Sequence, residues 1–280
     1  MDEPTQTSLA RLRRFDVRPN RKLGQNFLID NNILRVIAER AELSGGDVVL
    51  EVGGGLGVLS EYLAERVAHV HVVEIDEHLR PALEDAVGAR ANVTIVFADA
   101  VDLNFAELDP APSKLIANLP YGVAASTVIK AFYELPGLRL ACVMAQREVA
   151  QRLTAAPGGK LYGASSVLAQ AVAGDTSMRK LSRNIFFPVP NVDSALVTLR
   201  RTAQTPDSGF VELVHDAFSH RRKPLPGSLA LARRGRPGAE RVKQRAAAAL
   251  ERIGHDPAVR AERLSAEDFR RLYAELERRP

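Results

Sequence analysis

The residues with the clearest chemical potential are Asn118-Leu119-Pro120-Tyr121, a polar and aromatic box that follows the apolar run Leu115-Ile116-Ala117. The N6 amine of adenine is a poor nucleophile because its lone pair is delocalised into the ring. An Asn carboxamide oxygen and a nearby main-chain carbonyl are two acceptors that can direct that lone pair at a donor carbon. Pro120 stiffens the loop, and Tyr121 offers a flat face for an extruded base. The same residue types are also common in a simple turn after a strand.

A glycine-rich segment from Gly53 to Gly57 follows the β-branched run Val48 to Val52 and precedes a stretch with helical spacing. Strand, glycine turn and helix predict the first unit of a doubly wound sheet, where ligands bind beyond the carboxyl ends of the strands. The nicotinamide fingerprint requires a glycine where this chain has Val58. Glu51, just before the glycines, suits a cationic ligand better than a pyrophosphate. With the Asn118 box, the segment predicts methyl transfer from S-adenosylmethionine to an adenine amine.

Two further predicted strands end at carboxylates. The run His69 to Val73 leads to Glu74, and the run Val93 to Phe97 leads to Asp99. A carboxylate about 20 residues past the glycines can accept from both ribose hydroxyls of the cofactor, which is the role predicted for Glu74. Asp99 is placed to accept from the cofactor's adenine amine. Each could alone be a solvated loop residue, but acceptors at successive strand ends favour a shared cofactor site.

Further motifs lie on both sides of these strands. They are Lys22-Leu23-Gly24-Gln25-Asn26-Phe27-Leu28-Ile29-Asp30, Met144 to Leu153, Gly159 to Gly163, Phe186-Phe187-Pro188-Val189-Pro190-Asn191-Val192-Asp193-Ser194, Phe218 to Lys223, and Leu264 to Phe269. With the glycine and Asn118 boxes, they resemble the KsgA-type small-subunit rRNA adenine N6-dimethyltransferases. The resemblance runs through nearly the whole chain. The glycine box is typical of the whole methyltransferase superfamily, whereas the later motifs are specific to this family.

The resemblance implies an α/β fold: a Rossmann-like class I S-adenosylmethionine-dependent methyltransferase domain, with a mostly parallel seven-stranded sheet, followed by a small C-terminal all-helical domain. It implies that two adjacent adenosines near the 3′ end of 16S rRNA are dimethylated on N6 late in ribosome assembly. The cofactor contacts it implies are Asn26, Leu28, Gly53, Gly55, Glu74, Asp99 and Asn118. The catalytic residues it implies are Asn118, Leu119, Pro120, Tyr121 and Phe186. Tyr121 and Phe186 would sandwich the target adenine, and a segment with Asn26 and Phe27 would fold over the pocket as a lid.

Two positions depart from the family pattern. The family usually has Asn after the catalytic Tyr, where this chain has Gly122 followed by Val123-Ala124-Ala125-Ser126. Gly122 loosens the backbone beside the catalytic loop. Pro226-Gly227 stands where the family usually has Arg-Asn.

The distribution of charge along the 280-residue chain indicates how its domains are organised. Residues 200–280 hold 18 Lys and Arg against 11 Asp and Glu, although the whole chain carries only +4. A basic C-terminal part favours a phosphate-rich partner, and Arg221, Arg222 and Lys223 are its predicted RNA-binding residues, with Arg233, Arg234 and Arg236 in the same set. A linker at Thr202 to Gly209 predicts a methyltransferase domain over 1–202, whose residues 1–30 form the N-terminal segment and lid, and a helical RNA-binding domain over 203–280. Ser265 is placed to cap the last helix.

The resemblance implies a pre-ribosomal small subunit as the partner. The remaining composition predicts a cytoplasmic protein with no membrane association, and nothing in the sequence indicates more than a monomer. Cys142 is the single cysteine, no apolar run reaches membrane-spanning length, and the start resembles neither a signal nor a transit peptide. The 6 His and lone Cys form no cluster with metal-ligand spacing.

Three alternatives stay open. An Erm-type methyltransferase of large-subunit (23S) rRNA shares the glycine box and a similar Asn-Pro-Tyr loop. An assembly factor could depend on RNA binding more than on methylation. A nicotinamide oxidoreductase lacks support because the third fingerprint glycine is missing.

Overall fold

A computed structural model describes residues 5–120, 122–235 and 239–278. The chain divides into two compact units. The first comprises Met1–Ala150 and Asp175–Arg201, and the second comprises Gln151–Gly174 and Thr202–Pro280. One boundary between the units lies at Arg201–Thr202, but Gln151–Gly174, which the sequence analysis placed in the methyltransferase domain over 1–202, belongs to the second unit.

A seven-stranded sheet forms the centre of the first unit. The strands of this unit, seven in the sheet and two in a separate pair, are β1 Phe27–Leu28, β2 Val48–Val52, β3 His69–Glu74, β4 Val93–Phe97, β5 Lys114–Asn118, β6 Leu140–Gln146, β7 Asp175–Leu181, β8 Phe186–Phe187 and β9 Ser194–Arg200 in the described residues. The sheet order is β4-β3-β2-β5-β6-β9-β7, while β1 and β8 form a separate antiparallel pair. Pairs among β2 to β6 are parallel, and β9 runs antiparallel to both β6 and β7. The predicted mostly parallel seven-stranded sheet is confirmed.

The central strands are apolar along most of their length because both of their faces are covered. In β5 the side chains from Lys114 to Ala117 are buried, and in β6 those from Leu140 to Ala145 are buried. Such strands read as continuous hydrophobic runs rather than as alternating patterns. The edge strand β7 is mostly exposed and polar, which is typical of an edge that must not pair with another chain.

Helices of the first unit connect and cover these strands. They are α1 Thr5–Arg14, α2 Asn32–Arg40, α3 Val58–Ala64, α4 Arg80–Val87 and α5 Ala124–Glu134, and α6 Arg147–Leu153 crosses the division between the units. Ile37, Leu63 and Leu83 from three of these helices are at most 1% exposed and belong to one hydrophobic cluster with Val72 of β3. This core fixes the strand ends that carry the candidate site.

A buried charge cluster fixes the opposite end of the sheet. Asp47, fully buried, accepts from Lys114 Nζ at 2.7 Å, from Arg139 at 2.7 Å and from the Ser44 amide at 2.7 Å. Burial would raise the pKa of Asp47, but its hydrogen bonds to Lys114 and Ser44 outweigh burial and hold the pKa below its ordinary value. The carboxylate is therefore paired and ionised, which a buried charge requires.

The second unit is helical. Its helices are α7 Ala164–Val172, α8 Ser208–Ser219, α9 Leu225–Ala232, α10 Ala239–Arg252 and α11 Ala266–Glu277. Ser265 caps α11 in a reciprocal capping box with Asp268, as predicted. In the described residues no helix is both long and apolar enough to span a bilayer.

Tyr162 explains why Gln151–Gly174 belongs to this second unit. Its side chain is fully buried, its hydroxyl donates to the Leu264 carbonyl at 2.7 Å, and its ring meets Phe218 edge-on at 6.3 Å between centroids. Phe218 in turn stacks on Phe269. A large aromatic side chain buried in this way contributes to the core that it enters, whatever its position along the chain.

Candidate active site

A cleft of about 750 Å³, counted with its opening to solvent, lies at the carboxyl ends of β2, β3 and β5. This is the edge of a doubly wound sheet at which ligands bind. Its walls are the N-terminal segment around β1, the glycine loop after β2 and the start of the loop after β5. The predicted site residues that line it are Asn26, Leu28, Gly53, Gly55, Glu74, Asn118, Leu119 and Pro120.

The glycine loop is shaped for close approach. Gly53 has a φ of +84°, and a Cβ built there would lie 3.2 Å from the Asn118 main-chain oxygen and 3.7 Å from Pro120 Cδ. Only a residue without a side chain lets the two loops meet at this distance without strain. Gly55 has a φ of +57°, which would strain another residue, although a Cβ there would meet the ring of Phe27 only at an ordinary contact distance of 3.4 Å.

Asn118 joins the N-terminal segment to the end of β5. Its Nδ2 donates to the Asn26 carbonyl at 3.0 Å. Because the oxygen and nitrogen of a carboxamide point in different directions, this bond fixes where the Asn118 oxygen acceptor faces. The next residue, Leu119, donates its amide to the Met144 carbonyl at 3.0 Å, which ties the loop to β6.

Glu74 binds the glycine loop through its carboxylate. Oε2 accepts from the Gly55 amide at 2.8 Å, and Oε1 accepts from the amides of Ile75 at 3.0 Å and Asp76 at 2.9 Å. Burial raises the pKa of Glu74 above its ordinary value, and these amides offset only part of that rise. Glu74 therefore organises the loop while remaining in the cleft wall.

Glu51 is the most perturbed carboxyl of the site. It is 1% exposed, and its Oε2 has no hydrogen-bond partner among the residues that the structure describes. The pKa of Glu51 is raised to about 8, because burial and the neighbouring Glu74 raise it by more than the Ser60 hydroxyl lowers it. A buried carboxyl without a full set of partners favours a cation in the cleft.

Comparison with known proteins identifies the family. The sequence profile described as "Ribosomal RNA adenine dimethylase" matches residues 17–276. The chain is 45% identical over 261 residues to the Ribosomal RNA small subunit methyltransferase A of Rubrobacter xylanophilus, covering 92% of this chain and 95% of that one. It is 42% identical over 224 residues to the protein of the same name from Deinococcus radiodurans, covering 79% and 76%.

The chain belongs to the ribosomal RNA adenine dimethylase family. Two solved structures have similar folds. A dimethyladenosine transferase from Plasmodium falciparum aligns with a TM-score of 0.74 at 22% identity, over 88% of this chain and 95% of that chain. The 23S rRNA methyltransferase ErmE aligns with a TM-score of 0.63 at 29% identity, over 90% of this chain and all of that chain. Members of this family are S-adenosylmethionine-dependent methyltransferases, so S-adenosylmethionine is the cofactor and the protein is an enzyme.

Two site residues predicted from the family resemblance lie outside the cleft lining. Asp99 follows β4, and its Oδ1 accepts from the Val101 amide at 2.8 Å in a local turn. Phe186 is 2% exposed and packs in the hydrophobic core, where it pairs with Leu28. Phe186 is therefore buried in this structure, and its predicted sandwich of the target adenine with Tyr121 stays a prediction. The neighbouring Phe187 is 42% exposed.

Tyr121, the other predicted stacking residue, lies outside the described residues, as does Arg236 of the basic set. Of the predicted RNA-binding residues, Arg221 donates to Glu262 at 2.8 Å and to the Lys160 carbonyl at 3.2 Å. Arg222 and Lys223 are exposed, and neither side chain has an ion-pair partner in the described part of the chain. Their charges are therefore available to a phosphate.

Two polar residues outside the predicted set of cofactor contacts also line the cleft, and one of them is the Glu51 that the sequence already indicated as suited to a cationic ligand. Glu51 lines the cleft, and its signal in the sequence was an acidic residue inside an apolar strand. Gln25 lines it too, with no signal beyond its place in the opening motif. In the described residues no group of three or more His, Cys, Asp or Glu side chains could hold a metal ion.

Proposed function

We propose that this enzyme dimethylates N6 of two adjacent adenosines near the 3′ end of 16S rRNA, on a small subunit late in its assembly. The observation that carries the proposal is the contact between the glycine loop and the Asn118 loop. It brings an Asn carboxamide and its main-chain carbonyl to the edge of a cleft suited to a cationic nucleoside cofactor.

The residues of the cleft fit S-adenosylmethionine. The partly unpartnered Glu51 carboxyl suits the positive charge of that cofactor, and the Glu74 carboxylate suits hydroxyl donors. Gly53 and Gly55 leave the loop without side chains, so a ligand can approach its backbone. When bound, S-adenosylmethionine supplies an electrophilic methyl group on a sulfonium, whose leaving group is a neutral thioether.

The chain's own residues act on the target amine. The Asn118 oxygen and the Asn118 main-chain carbonyl would accept its two hydrogens, so that the nitrogen becomes more tetrahedral and its lone pair faces the methyl group. Pro120 fixes the loop, and Tyr121 is proposed to stack on the extruded base. Because the attacking amine loses its surplus proton to water, no side-chain base is needed.

The second unit is proposed to bind the RNA. Arg222 and Lys223 are exposed and free of ion pairs among the described residues, so each can neutralise a phosphate. We place the enzyme in the cytoplasm as a monomer, with the pre-ribosomal small subunit as its partner. Arg221 contributes less, because Glu262 and Lys160 already occupy its guanidinium.

An Erm-type activity on 23S rRNA is the second candidate, favoured by the similarity to ErmE. The higher identity to relatives named as small-subunit enzymes, over most of their length, favours the first candidate. A third possibility is an assembly factor whose binding matters more than its methylation.

The test compares wild type with Asn118→Ala on small subunits that lack adenine methylation, with digestion of the RNA to nucleosides and mass spectrometry. Wild type should form N6,N6-dimethyladenosine, and Asn118→Ala should lose about 100-fold or more in rate, as expected when a transition-state acceptor is removed. Asn32→Ala, an exposed Asn at the start of α2, is the matched control and should be unchanged. If Asn118→Ala methylates at the wild-type rate, the catalytic role is refuted; if it is inactive but supports assembly fully, binding is the main role.

A further inference from the structure

Gln25 makes hydrogen bonds through both ends of its side-chain carboxamide. Nε2 donates to Asp76 Oδ2 at 2.6 Å, and Oε1 accepts from the Asn20 amide at 2.8 Å. The Gln25 amide also donates to the Asn20 carbonyl at 3.2 Å. These bonds hold the N-terminal segment against a residue that is 51 positions away in the sequence.

Asp76 is held in place and ionised, so it is a strong acceptor for this bond. It is 9% exposed, and its Oδ1 accepts from the His78 amide at 3.1 Å. Burial would raise the pKa of Asp76, but the hydrogen bonds from Gln25 and His78 outweigh it and hold the pKa below its ordinary value. Hydrogen bonds to an ionised carboxylate are stronger than neutral ones.

The same two residues touch both halves of the candidate active site. On one side, the Asp76 amide donates to Glu74 Oε1 at 2.9 Å, and Glu74 in turn holds the Gly55 amide. On the other side, the residue after Gln25 is Asn26, whose carbonyl accepts from Asn118 Nδ2. The Asn26 side chain points back to the Gly24 carbonyl at 2.8 Å, so its main chain is held in place locally as well.

We propose that Gln25 is a positioning residue for methyl transfer. Its hydrogen bond to Asp76 holds the Asn26 carbonyl at the place from which that carbonyl orients the Asn118 carboxamide. Gln25 thereby links the strand end that carries Glu74 to the acceptor of the target amine. The inference rests on the proposed function and assigns Gln25 no contact with the reacting atoms.

The experiment uses the full-length enzyme and undermethylated small subunits. The variants are Gln25→Met, which keeps the length without the hydrogen bond, Gln25→Glu, Asp76→Asn, and the exchanged pair Gln25→Glu with Asp76→Asn. In the exchanged pair, Asn at 76 can donate to Glu at 25 while still accepting from the His78 amide. Glu77→Gln is the matched control, because Glu77 lies in the same turn, is exposed and pairs only with Arg80 among the described residues.

We expect kcat to fall about tenfold in Gln25→Met and more in Gln25→Glu, since small misplacements of catalytic groups cost rate steeply. The dissociation constant for S-adenosylmethionine, measured by equilibrium dialysis, should change less than about threefold. The exchanged pair should recover kcat to within about threefold of wild type, and Glu77→Gln should match wild type.

Two results would overturn the inference. One is a kcat within twofold of wild type in both Gln25→Met and Gln25→Glu. The other is a loss of kcat that the exchanged pair does not restore, or that follows cofactor affinity or melting temperature instead. If wild type itself methylates no adenosine in either ribosomal subunit, the proposed function fails and not this inference alone.

Discussion

Replacing Gly53 by Ala tests how the glycine loop and the Asn118 loop meet. Gly53 has a φ of +84°, a conformation that costs an L-residue about 1–2 kcal/mol. The added Cβ would lie 3.2 Å from the Asn118 main-chain oxygen, so the Asn118 loop must shift by a few tenths of an ångström. Together these effects should lower the free energy of unfolding by about 1–3 kcal/mol, or roughly 3 °C of melting temperature per kcal/mol.

The same substitution should reduce kcat by more than the loss of folded protein can explain, because the displaced Asn118 carbonyl is a proposed acceptor for the target amine. We expect a loss of about tenfold or more in single-turnover rate at a temperature where the variant is fully folded. Gly46→Ala is the control, since a Cβ there meets nothing within 4 Å and its φ lies outside the left-handed range. If Gly53→Ala melted and turned over like Gly46→Ala, the proposed contact between the loops would be refuted.

Three further predictions concern charged groups. The pKa of Glu51 is raised from 4.5 to about 8, so the folded protein binds the proton more tightly than the unfolded chain, and stability falls as the pH rises from about 4.5 to 8. Glu51→Gln should therefore have a higher melting temperature than ligand-free wild type at pH 8. The difference in melting temperature should nearly disappear near pH 5. An equal gap at both pH values would contradict the burial argument. Lys114→Met should lower the free energy of unfolding by roughly 3 kcal/mol, because Asp47 then keeps only part of its pairing. Urea titration measures this change, and a change below about 0.5 kcal/mol would show that the ion pair contributes little. Reversing Arg222 and Lys223 to Glu should weaken binding to small-subunit rRNA and make its salt dependence shallower, and unchanged binding would remove them from the interface.

Local patterns made part of the site predictable. A β-branched run, glycines and a helical stretch follow one another within a few residues, so Gly53 and Gly55 could be placed at a strand end without tertiary information. Glu74 was predictable for the same reason, as the last residue of β3. Ser265 and Asp268 form the capping box whose Ser was read from the sequence.

Other features of the fold and the site could not be predicted from the sequence, because they depend on long-range packing. The bond from Gln25 to Asp76 depends on side-chain conformations across 51 residues, and no local pattern encodes it. The segment Gln151–Gly174 joins the second unit because Tyr162 is buried with Phe218 there, which a linker at 202 does not reveal. Phe186 matches a family motif, yet the motif could not show that its ring would be buried in the core.

The most direct test of the central claim supplies tritiated S-adenosylmethionine to the enzyme with purified small or large ribosomal subunits that lack adenine methylation, followed by mapping of the labelled nucleosides. We predict label as N6,N6-dimethyladenosine at two adjacent positions near the 3′ end of 16S rRNA, and none in 23S rRNA. Label confined to 23S rRNA would move the enzyme to the Erm type. Tight binding to small subunits with no label in either RNA would contradict the catalytic account.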